Sequence, residues 1–441
     1  MANVSQTSNA TVLDLFKTVY GNLQELIPED FPLAKDIPFS QKEKVGEKYV
    51  EAVCLTNETG WTLSSSTDAF ELNPARAGTV KQAEVTPYIT VLPSIVPWGV
   101  MSRSAGGGAR AFADATRYVV RNNVKSHGRL QEILRLYARA DSLLGYTSYF
   151  TGTYRNAAFT TGTGTINGVT FTNGINAASK YILFAPGSWA SGIWTAQEGC
   201  AVNQVDANGV ILATGSLTSI NSEYGYIGVS FTPVAASTVT STRICFDGMQ
   251  NDQDMYGIQK ILSTQSGSLF GINTSSYSLW QGNVINLNNT RLTLAKVQSA
   301  IANAVNKGGL ESDIVIYCNP RSWATIASTE AGLRIYDESY KPSSAENGFE
   351  AIKFHSQNGS VTFKPHRCVK EGDAFGLVLS SWIRSGSAEI SFTIPGAPGE
   401  LIFPMPNQAG YCFRTFSDQF VFCHAPAHNL YFQNVNDEAA A

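Results

Sequence analysis

Cys423, His424 and His428 are the one cluster of cysteine and histidine in this chain of 441 residues. The spacing Cys-His-x3-His brings a thiol and two imidazoles together, the donor types that zinc prefers. A zinc ion held that way could activate water for hydrolysis. Two features weigh against that chemistry. Ala425-Pro426-Ala427 is not helical, so His424 and His428 need not share a face. No fourth ligand or general base stands nearby in sequence. Cys423 and His424 as nucleophile and base fare no better, because neighbours on a strand point to opposite faces. A structural role for all three is favoured, with a metal-dependent hydrolase as the rival.

Other catalytic signatures are missing. Neither G-x-x-x-x-G-K-[ST] nor G-x-G-x-x-G occurs, and Gly106-Gly107-Gly108 reads as backbone geometry. Carboxylates do not cluster, EF-hand spacing is absent, and Asp252 and Asp254 read as helix caps. His355 and His366 stand alone, and His127 is expected to face solvent or an ion-pair partner on a helix. No catalytic residue, metal or cofactor is expected.

A second charged pattern is physical rather than catalytic. Arg117, Arg121, Lys125 and Arg129 recur every four residues, which stacks them on nearly one face of a helix. Like charges at that spacing repel and destabilise an isolated helix. The ridge therefore calls for a compensating element, an acidic patch on a neighbouring subunit, or a phosphate backbone. The contact with a neighbour is preferred over a plain solvated face, and a weak DNA contact ranks third.

The element carrying this ridge is a long helix expected over about 109–144. Phe112, Thr116 and Val119 recur at helical spacing, and Leu130, Leu134 and Tyr137 resume the stripe after Gly128. Before it, Val12, Leu15, Phe16, Val19, Leu23 and Leu26 form an amphipathic helix over 11–27, stopped by Pro28. Two strand-like arms, 45–56 and 79–92, flank a Ser/Thr/Asn/Gly tip over 57–78. A two-stranded ribbon buries little on its own, so it should pack on a neighbouring subunit.

Short strand-like runs then recur at 181–185, 201–205, 210–213, 227–231 and 243–246, with a hairpin turn at Asp206-Ala207-Asn208-Gly209. They predict a small antiparallel barrel or sandwich set between helical parts. Beyond it, a helix over 294–306 has Thr293 as N-cap and Gly308 as its stop. A buried strand over 313–318 follows, and Asn319-Pro320 opens another helix through Ser328. A strand pair at 361–363 and 375–379 and strands at 417–423 and 430–432 complete an α/β core. The string NLYFQ at 429–433 belongs to that last strand pattern.

Composition narrows the class. Charged residues make up 15% of the chain, against about 25% in ordinary soluble domains. The net charge of −4 argues against a protein held to nucleic acid by cationic mass. The seven cysteines are odd in number, irregularly spaced and without a C-x-x-C. That disfavours a disulfide framework and a structural zinc site, and fits a reducing compartment. Cys54 and Cys318 read as buried small hydrophobes. No signal-peptide pattern and no apolar run of transmembrane length is visible.

In this order the parts resemble the major capsid proteins of tailed double-stranded DNA bacteriophages, the Hong Kong 97-like fold. The phrases LFAPGSW (183–189), MYGIQKILSTQSGSLFGI (255–272), IVIYCNPRSWATI (314–326) and FRTFSDQFVFCHAP (413–426) are similar to that family as well. The resemblance implies an α+β fold with an N-terminal arm over 1–38 and an extended loop over 39–100. It implies a spine helix within 101–150, an inserted β-rich domain over 151–250, an axial domain over 251–360 and returning strands over 361–441. It further implies a structural, non-enzymatic protein that self-assembles into pentamers and hexamers of an icosahedral shell around double-stranded DNA. Partners would be copies of itself, portal and scaffolding proteins, a decoration or cement protein, and packaged DNA by weak non-specific contact, with no membrane. Its location would be the virion, after assembly in the host cytoplasm. A tail or adhesin β protein is the remaining alternative, disfavoured by the long basic helix and the α/β core.

Overall fold

The computed structural model describes residues 31–40, 47–99, 109–139, 145–149, 157–158, 162–166, 169–173, 179–183, 201–205, 210–221, 226–233, 241–247, 255–310, 312–331, 352–356, 359–370, 372–392, 403–404 and 409–436. The amphipathic stripe read over 11–27 lies outside them. The chain divides into two compact units. One comprises Met1–Val45, Pro87–Leu134 and Arg384–Phe420; the other comprises Gly46–Thr86, Arg135–Ile383 and Val421–Ala441. No helix among the described residues is long and apolar enough to cross a membrane.

In the first unit, strand Tyr88–Pro97 pairs antiparallel with strand Gly410–Cys423, in register from Tyr88 opposite Gln419 to Pro97 opposite Gly410. A short strand Phe39–Ser40 runs parallel to Arg384 and Ser385. The long helix is Ala109–Tyr137, ending seven residues before the predicted limit. Its interface with the sheet has a small apolar cluster, Val96 and Phe413 with Val120 against them. Much of the rest is polar, built from Asn123, His127 and Gln131 on the helix and Thr415, Ser417 and Gln419 on the strand, all buried. Such an interface holds only if each group finds a partner, since an unpaired buried polar group costs about 1–3 kcal/mol. The arm is tied down in the same way: Leu33 N donates to Glu132 at 2.7 Å, and the buried Arg384 guanidinium donates to the Ile37 carbonyl at 2.9 Å.

The core of the second unit is a six-stranded sheet. Its order is Asn283–Thr290, Leu430–Val435, Asp373–Leu377, Ile314–Cys318, Gly359–Pro365 and Ile352–Ser356. The predicted pairing of 361–363 with 375–379 is corrected here: both strands flank Ile314–Cys318, one parallel and one antiparallel. A continuous apolar run such as Ile314-Val315-Ile316-Tyr317-Cys318 suits a central strand with both faces covered. Helix Leu294–Gly308 lays Val297, Ala300, Ile301 and Ala304 on this sheet, against Ile316, Phe363 and Phe432. Val297 and Ile301, removed from water, contribute about 2 kcal/mol each, and the two alanines less. The helix runs one residue past the expected stop. Gly309, not Gly308, adopts the left-handed φ of 67° and closes the turn onto Val305 O. Asn319 caps the next helix, Pro320–Ala331, by accepting from Arg321 N at 2.9 Å.

A closed barrel within this unit joins strands Ala201–Val205, Ile211–Asn221, Tyr226–Pro233, Ser179–Leu183, Ala157–Ala158, Gly145–Tyr149 and Ser241–Phe246. Strands Ala201–Val205 and Ile211–Asn221 pair antiparallel, and the turn read at 206–209 lies outside the described residues. Closure removes the open strand edges that short, charge-poor strands would otherwise expose.

Candidate assembly surface

The ribbon consists of Tyr49–Thr56 paired antiparallel with Thr79–Val85. The second arm stops at Val85 rather than at 92, because Pro87 breaks the run and Tyr88–Pro97 pairs in the other unit's sheet. Past Thr56 the chain folds back on itself. Thr59 and Arg76 exchange backbone hydrogen bonds of 2.9 and 2.7 Å. Asn73 N donates to Thr62 Oγ1, and Asn73 Nδ2 to the Trp61 carbonyl, both at 2.7 Å. Gly60 has φ 128°, and a Cβ there would sit 2.9 Å from Pro74 O, so glycine is required.

This braced tip holds large apolar side chains in water. Trp61 is 83% exposed, Leu63 95% and Leu72 77%, with Phe70 also exposed. Single exposed hydrophobes are ordinary, whereas several along one short segment make it a candidate interaction surface.

The root of the ribbon is different. It finds a core in its own unit, contrary to the expectation that none was available. Ala83 and Val85 are buried. Glu84 N donates to Phe270 O at 2.9 Å. The Tyr49 ring meets Phe422 edge-on at 5.3 Å, and Phe422 meets Phe270 at 4.8 Å. His424 Nδ1 lies 2.7 Å from Glu51 Oε1, while the Tyr49 hydroxyl donates to Glu51 Oε2 at 2.8 Å. Cys54, expected to be buried, is exposed on the ribbon, because a two-stranded element covers only its root.

The Cys423, His424 and His428 cluster does not converge. Cys423 is buried beside Ser381 and Asn429, and that burial pushes its thiol up to about 12, far from nucleophilic use. His424 faces Glu51, whereas His428 Nε2 pairs with the Gly308 carbonyl at 2.7 Å. Among the described residues no three His, Cys, Asp or Glu side chains are placed to hold a metal ion. The carboxylate beside His424 comes from a residue far away in sequence, which local spacing could not reveal.

The four-residue spacing of the basic ridge does not produce one uniform surface. Arg121 is exposed, Lys125 is buried at 8% exposure and Arg129 is half-buried. The side chain of Arg117 lies outside the described residues. His127, expected to face solvent or an ion-pair partner, is 1% exposed and hydrogen-bonded to hydroxyls. Helical spacing located the helix but not which of its faces the sheet covers.

No protein-family model matches the sequence, and neither does any curated protein. Solved structures do match. A subunit of the cyanophage A-1(L) capsid asymmetric unit aligns over 95% of this chain and 96% of its own, at 9% identity and a TM-score of 0.53. The capsid subunit of a native GTA particle aligns over 98% and 100% at 7% identity and a TM-score of 0.45. The SrpI encapsulin of Synechococcus elongatus PCC 7942 aligns over 97% and 98% at 9% identity and a TM-score of 0.41. At such identities the likeness is one of fold.

Proposed function

We propose that this chain, which has the Hong Kong 97-like fold of the cyanophage capsid subunit, is a major capsid protein that builds a closed shell from copies of itself. The observation that carries the reading is the ribbon: a two-stranded element whose root is anchored and whose tip presents Trp61, Leu63, Phe70 and Leu72 to water. A second copy is the natural cover for that tip, since a subunit that reaches one neighbour while receiving another forms rings when the rotation closes.

In this reading pentamers and hexamers enclose double-stranded DNA, and many weak contacts per subunit sum to a stable shell. The net charge of −4 suits a container, because a strongly cationic wall would hold the DNA. In the same reading the exposed Arg121 makes a weak contact with an acidic neighbour or with phosphate. Scaffolding, portal and cement proteins are the partners such a shell would recruit.

Deleting residues 57–78 tests the reading. The shortened chain should remain soluble and folded, because the tip adds nothing to either core, yet shell formation should fail. Shells of normal size from the deleted chain would contradict it.

A further inference from the structure

We infer that Glu51 and His424 are positioning residues that fix the angle at which the ribbon leaves its subunit, and so set the uniformity of the shell. The inference rests on the assembly reading above and adds to it the residues that control geometry.

Leverage makes the root angle matter. The eight residues Tyr49–Thr56 span about 27 Å at ~3.4 Å per residue, before the tip is added. A rotation of ~10° at the root carries the far end about 5 Å, roughly one strand spacing. A tip meeting the same patch on every neighbour therefore needs its root held within a few degrees. Past its root the two-stranded ribbon has no core to provide that stiffness.

Four side chains close a circuit around the root. Glu51 Oε1 meets His424 Nδ1 at 2.7 Å, and Glu51 Oε2 accepts from the Tyr49 hydroxyl at 2.8 Å. The Tyr49 ring packs edge-on against Phe422 at 5.3 Å, and Phe422 packs edge-on against His424 at 5.3 Å. Both carboxylate oxygens are thus committed, one to the strand that ends at Cys423 and one to the ribbon itself. On the other arm, Glu84 N donates to the carbonyl of Phe270, whose φ of 54° is unusual for a bulky residue. The two arms are therefore held at separate points, which restrains rotation as one point could not.

The members of the circuit differ in exposure. Phe422 is fully buried and belongs to the folded core, whereas the His424 and Glu51 side chains are 33% and 27% exposed. A partly solvated pair contributes little to stability but still supplies direction. Its removal should loosen the angle and leave the fold in place.

The test compares the native chain with Glu51→Ala, His424→Ala and the exchanged pair Glu51→His with His424→Glu. Melting temperature reports the fold, and electron microscopy reports particle diameter. We expect each single variant to melt within a few degrees of the native chain. Each should also at least double the spread of particle diameters or lose closed shells, and the exchanged pair should recover uniform shells. Tyr49→Phe keeps the ring and removes only the hydroxyl that aligns Glu51, so it should broaden diameters to a smaller degree. Native-like diameters in both alanine variants would overturn the inference while leaving the assembly reading intact. A large loss of melting temperature in them, with native diameters for Tyr49→Phe, would also overturn it by making the pair a core element. Absence of particles from the native chain would defeat the assembly reading itself and this inference with it.

Discussion

His127 Nδ1 lies 2.8 Å from the Thr415 hydroxyl, across the interface between the long helix and the sheet. The Thr415 hydroxyl in turn donates to Asn123 Oδ1 at 2.6 Å, so it accepts from the imidazole N–H. The Thr90 hydroxyl, 2.8 Å from Nε2, is left to donate to that nitrogen and also accepts from Gln131 Nε2. Gln419 continues the chain by donating to Gln131 Oε1 at 2.7 Å. The network is complete only for a neutral imidazole carrying its proton on Nδ1.

Acid should therefore loosen this unit. Burial lowers His127 from the ordinary 6.5 to about 4. The unfolded chain takes up the proton first, so stability is full above pH ~6.5 and falls as the pH drops towards 4, by up to about 3 kcal/mol. Thermal melts across this range should show the decline in the native chain. His127→Gln should lower stability at neutral pH by about 1–3 kcal/mol and flatten the acid slope. An unchanged slope in the variant would place the acid sensitivity elsewhere.

Tyr137 closes a second buried network. Its hydroxyl donates to Asp373 Oδ2 at 3.1 Å and accepts from Lys370 N at 2.8 Å, while Tyr431 donates to Asp373 Oδ1 at 2.9 Å. Tyr137→Phe leaves a buried N–H without its partner and removes one donor from a buried carboxylate. Denaturant unfolding should report a loss of about 1–3 kcal/mol. A change below about 0.5 kcal/mol would mean that other groups satisfy Asp373 and Lys370.

Arg121 and Lys125 should part company. Arg121→Gln alters an exposed position, so melting should be unaffected while the salt dependence of assembly or DNA retention shifts. Lys125→Gln alters a buried one and should lower the melting temperature. Equal behaviour of the two variants in both assays would contradict the division.

Local chemistry made several elements legible. Strand Ala201–Val205, the N-cap position of Thr293 and the capping bond of Asn319 follow from apolar runs bounded by turn residues and helix starters, although the Thr293 side chain makes no capping bond. The capsid-like fold was read from the order of parts and a handful of phrases. Sequence spacing missed what depends on distant partners. Alternation resumes past Pro87 as far as Leu92, and although that proline can end the arm, nothing in the pattern says that Tyr88–Pro97 pairs with Gly410–Cys423. His127 was misplaced because its partners, Thr90 and Thr415, are far from it in sequence and neutral, leaving no charge pattern to follow. Glu51 carries no sequence signal for the same reason: only the fold brings it to His424.

The most direct measurement is an electron-microscope image of the purified full chain, with light scattering on the same sample. Closed shells, or rings of five or six subunits, should form from this chain. A compact single copy at every protein concentration and ionic strength tried would contradict the assembly reading.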